Sequence, residues 1–227
     1  MQTRETIKVW DPLVRIFHWS LVAIFAIAYL TGEEESALHV WSGYVVLGLV
    51  LFRLVWGVVG TRHARFTDFV YRPAHVLTYA KAFIAGRAER YIGHNPLGGL
   101  MVVALLVCLL ATAGTGLLAY GAEGEGPLAG MAASGAVPAA RVDKRGAPLH
   151  AERHGEEHEG EETWEEVHEL FANLTLLLVA LHIAGVIASS LMHGENLVRA
   201  MVTGRKPAHI DHGHGRGDHR WAHGLDR

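Results

Sequence analysis

WEEVHELFANLTLLLVALHIAGVIASSLMH, residues Trp164–His193, decides the fold. Its apolar part is long enough to cross a bilayer as a helix, which takes about 20 residues. It also encloses two histidines, His168 and His182. An ionisable side chain inside a membrane helix is costly and needs a partner. At about 100° and 1.5 Å per residue, the fourteen-residue offset puts the two imidazoles roughly 40° apart on one face and about 21 Å apart along the axis. That geometry suits two flat cofactors stacked across one membrane, each taking an imidazole from this helix. Iron in a porphyrin is a natural partner for neutral imidazole. The plainer reading is two interior histidines bonded to neighbouring carbonyls, and this span alone leaves both open.

Around it lies a chain of 227 residues, 50% of them hydrophobic, with a positive mean hydropathy that is high for a soluble domain. Four apolar runs stand out: Val14–Thr31, Val40–Val59, Leu97–Tyr120 and Leu170–Met192. An isolated strand would leave its backbone unpaired in lipid, so such runs must be helices. The expected architecture is an all-α, four-transmembrane-helix bundle, with spans at about 14–31, 40–59, 97–120 and 165–192 and an outer loop at 121–163. The segment from Thr61 to Pro96 is basic and partly amphipathic; Val76, Leu77, Tyr79, Phe83 and Ile84 alternate with Lys81 and Arg87. It predicts a short helix lying on the inner interface.

The net charge of −3 hides an asymmetry. Arg4, Lys8 and Arg15 lie at the first span's start, and Glu33, Glu34 and Glu35 follow it. Arg62, Arg65, Arg72, Lys81, Arg87 and Arg90 lie between the second and third spans, and Arg199, Arg205 and Lys206 follow the fourth. Positive charge in short segments marks the cytoplasmic side, which puts both termini inside and 121–163 outside a bacterial inner membrane. A competing reading takes the first segment as a signal peptide cleaved after Ala26-Ile-Ala28. It would discard a buried histidine and leave an odd number of spans. The single cysteine, Cys108, allows no internal disulfide and no CxxCH haem attachment. It reads as a small buried hydrophobe, and the third span around it as a packing element.

The remaining candidates lie on the first two spans. His18 sits one turn inside the first, after WDPLVRIFHW, where Trp10 and Trp19 suit an interfacial belt and Arg15 snorkels inward. His39 opens the second span from the outer side, and Arg53 follows at the same fourteen-residue offset. Spans two and four run in the same direction, so aligning His39 with His168 brings Arg53 level with His182. A guanidinium at that depth needs an anion, and a haem propionate would serve; snorkelling to the inner surface is the alternative. Arg15 is a second candidate for a propionate. Gly43, Gly48 and Gly57 permit close approach of a helix or a porphyrin. His94, in Gly93-His-Asn-Pro96, is a candidate for a quinone pocket at the inner surface, or else a capping residue.

Outside the spans, His150, His154 and His158 have metal-ligand spacing if helical. They stand among glutamates without cysteine, and a partner-docking surface is the better reading. The stretch 207–227 is His- and Gly-rich and reads as a disordered tail.

Depth ties the histidines together. His39 and His168 lie near the outer surface, and His18 and His182 lie deeper toward the inner one. Two level pairs predict two bis-histidine haems, with His193 a weaker candidate beyond the apolar run. WDPLVRIFHW, LHVWSGYVVLGLVLFRLVWG, GHNPLGG and HELFANLTLLLVALHIAG then resemble the prokaryotic b561-type cytochromes and the b-type subunits of membrane-bound nickel–iron hydrogenases. The resemblance covers about residues 8–206. It implies a four-helix bundle with two b haems that exchanges electrons with the quinone pool, its ligands falling on His18, His39, His168 and His182. The expected activity is electron transfer between quinone and a periplasmic redox protein, a c-type cytochrome or a hydrogenase-like subunit. Nucleic acid is not an expected partner. Alternatives are a superoxide:quinone oxidoreductase, against which the acidic outer surface argues, the anchor subunit of a hydrogenase-like complex, and a non-redox histidine-containing transporter.

Overall fold

The computed structural model describes residues 6–32, 36–129 and 150–208, with 150–162 as backbone only. Strand β1 (Thr6–Lys8) leads into helix α1 (Pro12–Leu30), followed by α2 (Ala37–Val59), a 3-10 turn (Phe66–Asp68), α3 (Pro73–Ile84) and α4 (Pro96–Ala122). The long helix α5 (His150–His193), the short α6 (Leu197–Thr203) and β2 (Arg205–Pro207) complete it. Among the described residues, four helical segments are long and apolar enough to span a membrane: α1, α2, α4 and Thr163–His193 of α5.

Local chemistry sets where these helices begin. Asp11 Oδ1 accepts from Val14 N at 2.8 Å, and Pro12 occupies the first helical position, where a missing N–H costs nothing. Asn95 and Pro96 repeat the device at α4, with Asn95 Oδ1 accepting from Gly98 N at 2.7 Å. Ser36 caps α2. Helices α1, α2 and α4 therefore start one to three residues before their apolar runs, where a polar cap meets the first orphan N–H groups.

Helices α1 and α2 pack together, α2 leans on α4, and α4 lies along α5. Phe17, Val46, Val50, Leu106 and Leu109 form the core between the first three. Between α4 and α5, fully buried Thr175 is joined to Thr112. Thr112 Oγ1 already donates to Cys108 O, so it is Thr175 that donates across the 3.1 Å gap. Cys108 is buried in α4, without a disulfide.

The end of the bundle carrying both strands, here the proximal end, is closed by polar contacts. β1 pairs antiparallel with β2, Ile7 opposite Lys206. Gly204, left-handed at φ 78°, ends α6, and its carbonyl accepts from Val9 N and Trp10 N at 2.9 and 3.2 Å. Arg90 Nε pairs with Glu195 Oε1, and Lys206 Nζ lies 3.6 Å from Glu195 Oε2. Glu195 and Lys206 are 7% and 4% exposed, so breaking this triad would strand a buried charge. Burial pushes the Lys206 ammonium below its usual 10.5 against the opposing pull of Glu195. Asp11 adds a cross-tie, since its Oδ2 accepts from Trp56 Nε1 at 3.1 Å and Thr61 Oγ1 at 2.5 Å.

Several expectations change here. The fourth span is part of a 44-residue helix that begins at His150, inside the expected outer loop. The side chains of His150, His154 and His158 lie outside the described residues, as do residues 209–227 of the expected tail. Trp10 is buried rather than interfacial, because β1 and α6 fold over it. Trp19 is exposed as a belt residue would be. α3 is helical and packs on α4, with Tyr79 its buried residue.

Burial alone would raise the Asp11 carboxyl, but hydrogen bonds from Thr61, Val14 and Trp56 outweigh it and hold the group below its usual 3.8. Asp11→Ala is expected to cost about 1–3 kcal/mol, read as a lower thermal unfolding midpoint in detergent. The wild type has the ionised carboxylate's contribution in full above pH 3.8 and loses it as pH falls through the lower folded value. D11A should lack that acid limb of the profile.

Candidate functional site

Three helices bring four imidazoles into two pairs. His18 of α1 faces His182 of α5 with ring centres 6.5 Å apart, near the proximal end. His39 of α2 faces His168 of α5 at 5.9 Å, at the distal end. The rings are inclined at 54° and 82° respectively. A metal bonded to two facing imidazoles at about 2.0–2.1 Å, with each ring centre about 1.1 Å behind its nitrogen, would hold the centres roughly 6.3 Å apart. The observed spacings bracket that value.

Backbone carbonyls orient the distal pair. His39 Nδ1 lies 2.8 Å from Ala28 O, and His168 Nδ1 lies 2.9 Å from Thr112 O. A carbonyl only accepts, so both rings carry their proton on Nδ1 and keep the Nε2 lone pair for a ligand. Thr115 Oγ1, 3.4 Å from His168 Nδ1, stands by the same proton. Gly116 lets the ring in: a Cβ there would lie 2.9 Å from His168 Cε1. The third span, read from sequence as packing, therefore positions a site residue. The signal for that was the run of small and hydroxyl residues in ATAGTG, Ala111–Gly116.

The proximal pair is built differently. His18 packs edge-on against Trp19 at 5.1 Å, and its buried Nδ1 makes no hydrogen bond among the described residues. Arg53, only 3% exposed, does not snorkel to the surface. Its guanidinium lies over the rings of Phe66 at 5.2 Å and Phe69 at 5.8 Å, with Nη1 buried and unbonded among the described residues. Gly57 makes this possible, since a Cβ there would meet the Phe66 ring at 2.1 Å. Gly43 and Gly48 have open space instead, and Gly48 is exposed. Arg15 Nη1 donates to Val202 O at 2.5 Å, while its buried Nε has no partner among the described residues.

His94 is wedged between Trp10 and Phe69, each ring centre 4.6 Å away. Asn95, not His94, caps α4. Burial first, then the charges of Arg53, Lys206, His63 and His182, push its imidazole down to about 3, so it is neutral at physiological pH. It lines a cavity of about 170 Å³ with His63, Asp68, Phe69, Tyr71 and Tyr91. A larger, shallow cleft of about 500 Å³ lies at the distal end between Val40, Trp41, Tyr44 and Tyr120. Among the described residues, no three His, Cys, Asp or Glu side chains gather as a separate metal site.

Four imidazoles paired between helices long enough to span a membrane are a donor set suited to a metal-bearing cofactor. A sequence profile described as prokaryotic cytochrome b561 matches residues 9–204, and the chain belongs to that family. It is thus a multi-pass membrane protein of a b-type cytochrome family, and haem b is the cofactor that the family implies. Three relatives each carry the name probable Ni/Fe-hydrogenase B-type cytochrome subunit. That of Bradyrhizobium diazoefficiens is 28% identical over 41% of this chain and 49% of its own. The proteins of Rhizobium leguminosarum bv. viciae and Azotobacter vinelandii are each 28% identical, over 54% and 56% of this chain and 63% and 64% of theirs. The chain thus spans between about half and just under two thirds of these relatives' length. No solved structure matches it.

Gly116→Val would force the His168 ring away from His39. The variant is expected to bind less haem b per chain, measured by the pyridine haemochrome assay, while the control Gly48→Ala, at an exposed position with open space for a Cβ, should bind as much as wild type.

Proposed function

We propose that the chain holds two haem b groups, one between His18 and His182 and one between His39 and His168, and carries electrons between a quinone and a redox protein on the opposite side of the membrane. The observation that carries this reading is the pair of imidazole couples at two depths, each at the spacing of a bridged metal. Their neutral nitrogen donors fit ferrous and ferric iron, and the unbonded Nη1 of Arg53 fits a propionate carboxylate. When bound, haem iron supplies one-electron chemistry. Two imidazoles at each site would leave bound iron no open position, which would favour outer-sphere transfer over oxygen binding.

The residues around the two pairs bind and orient. His39 and His168 present Nε2 because Ala28 O and Thr112 O hold their Nδ1 protons. Arg53 is the principal propionate contact, and the buried Nε of Arg15 offers a second donor at the same end. The small proximal cavity supports a quinone headgroup site beside the inner pair, because it joins neutral His94 to the hydroxyls of Tyr71 and Tyr91. The larger distal cleft lacks such proton-exchanging groups apart from its tyrosines.

Charge orients the molecule. Arg62, Arg65, Arg72, Lys81, Arg87 and Arg90 all lie in the proximal connection between α2 and α4, which makes the proximal end cytoplasmic in a bacterial inner membrane. The redox partner then meets the distal, periplasmic end. The names of the relatives support a hydrogenase-like partner there; a c-type cytochrome is the other candidate.

The test is an optical spectrum and haem count of the purified protein with His→Ala changes at 18, 39, 168 and 182. Wild type should show a reduced b-type α-band and two haems per chain. H18A and H182A should each lose mainly one haem, and H39A and H168A the other. An absent α-band removes the cytochrome reading, and four variants that all retain both haems remove the ligand assignment.

A further inference from the structure

A quinone exchanges protons as well as electrons, and the two take different routes. Oxidising a hydroquinone breaks two O–H bonds; two electrons pass singly to ferric iron, which becomes ferrous, and two protons must reach water. Reduction runs the same steps backwards. The proximal cavity is lined by His63, Asp68, Tyr71, Tyr91 and His94 among others. His94 is poorly suited to carry those protons outward. Burial and the charges of Arg53, Lys206, His63 and His182 oppose its protonation, and Trp10 and Phe69 flank its ring.

The hydroxyls around the cavity are not equivalent. Tyr71 Oη donates to His94 O and Tyr79 Oη to Glu89 O, each at 3.4 Å, so both protons are committed to the backbone. Tyr91 Oη instead lies 3.1 Å from Nε2 of His75. His75 is exposed on α3, whereas Tyr91 is half-buried and lines the cavity, so one hydrogen bond joins the cavity wall to the surface. Tyr71 stacks on the His75 ring at 5.3 Å and 26°. Tyr71 and Tyr79 meet the Tyr91 ring edge-on at 5.9 and 5.6 Å, so aromatic contacts hold both partners of the bond. Lys206 Nζ, donating to Tyr91 O at 3.4 Å, fixes the same residue from its backbone side. Burial and then Glu89 push the Tyr91 phenol above its usual 10.0. The phenol therefore stays protonated and moves a proton by taking one on Oη as it gives its own to the imidazole. An imidazole can accept at one nitrogen and release from the other.

We infer that Tyr91 and His75 form a proton relay between the proximal cavity and the water outside it. The inference rests on the quinone reading of that cavity. Tyr91 is the relay group at the cavity and His75 the one at the surface. Asp68, whose exposed carboxylate also lines the cavity and lies 3.7 Å from Arg65, is the competing exit. Neither relay residue belongs to the imidazole pairs, so removing either should leave haem b in place.

The experiment follows haem reduction at the b-type α-band after the oxidised, purified full chain is mixed with duroquinol. H75A and Y91F should each slow it by about tenfold or more. Dithionite, which delivers electrons without quinol protons, should reduce both variants as fully as wild type. The affinity of H75A for duroquinone, measured by calorimetry, should stay within about twofold of wild type, which assigns the loss to the reaction and not to binding. Added imidazole should restore most of the rate in H75A. H75Q, which fills the same space without a titrating ring, should be as slow as H75A. Wild-type rates in H75A, H75Q or Y91F, an H75A defect that imidazole leaves untouched, a fall in affinity that accounts for the lost rate, or a loss in D68N with none in H75A would each overturn the relay. A wild type that dithionite reduces and duroquinol does not would instead remove the quinone reading, and the relay with it.

Discussion

A neutral imidazole in a lipid-embedded bundle carries one donor and one acceptor, and neither has water to turn to. Much of this structure follows from how those two needs are met. At the distal pair the donor goes to a carbonyl on a neighbouring helix, Ala28 for His39 and Thr112 for His168. The acceptor nitrogen is thereby left free for a ligand. Helical carbonyls are normally committed to the residue four positions on, which limits the ones a ring can use. Ala28 lies in the last turn of α1, where such bonds run out. Thr112 lies mid-helix, in a stretch where hydroxyls already fold back on the backbone at Cys108, Ala111 and Thr112. Small side chains there bring α4 and α5 close enough for a ring to reach across.

The proximal end solves a different problem, the housing of charge. Glu195, Lys206 and Arg90 neutralise one another where the last span leaves the bundle, and strand β2 places Lys206 to do so. Arg53 is treated separately. It has two aromatic faces, Phe66 and Phe69, but no carboxylate within hydrogen-bond reach among the described residues, so its charge stays available to an anionic group. That division explains why the connection between α2 and α4 folds back on the bundle. Its turn at Phe66–Asp68 supplies one ring and Phe69, directly after it, the other, and Gly57 and Gly99 make the room, since a Cβ on Gly99 would lie 2.1 Å from Phe69 O.

The spans, their order and the pairing of histidines by depth could be read from the chain, because hydropathy and a 3.6-residue period are local properties. The lever arm from His168 to His182 needed only the rise of a helix. What could not be read were contacts set by particular backbone atoms. The carbonyl of Thr112 leaves no mark on composition, and Gly116 is one of many glycines in a small-residue stretch. Trp10 looked like an interfacial anchor because its burial depends on α6, at the far end of the described chain. The two sheet strands are three residues each and carry no alternation long enough to recognise. His94 was ambiguous for a related reason: Asn95 beside it takes the cap, which frees the imidazole for the cavity wall.

Both imidazole pairs draw one member from α5, the last of the spanning helices along the chain. During synthesis, His18 and His39 reach the bilayer well before any partner exists for them. Neither centre can be completed by an early hairpin of α1 and α2, however stable that unit is. Insertion of one helix thus completes the donor sets at both depths together, and the β1–β2 clasp closes only behind it. A chain halted before that helix would hold one imidazole of each pair and neither pair complete.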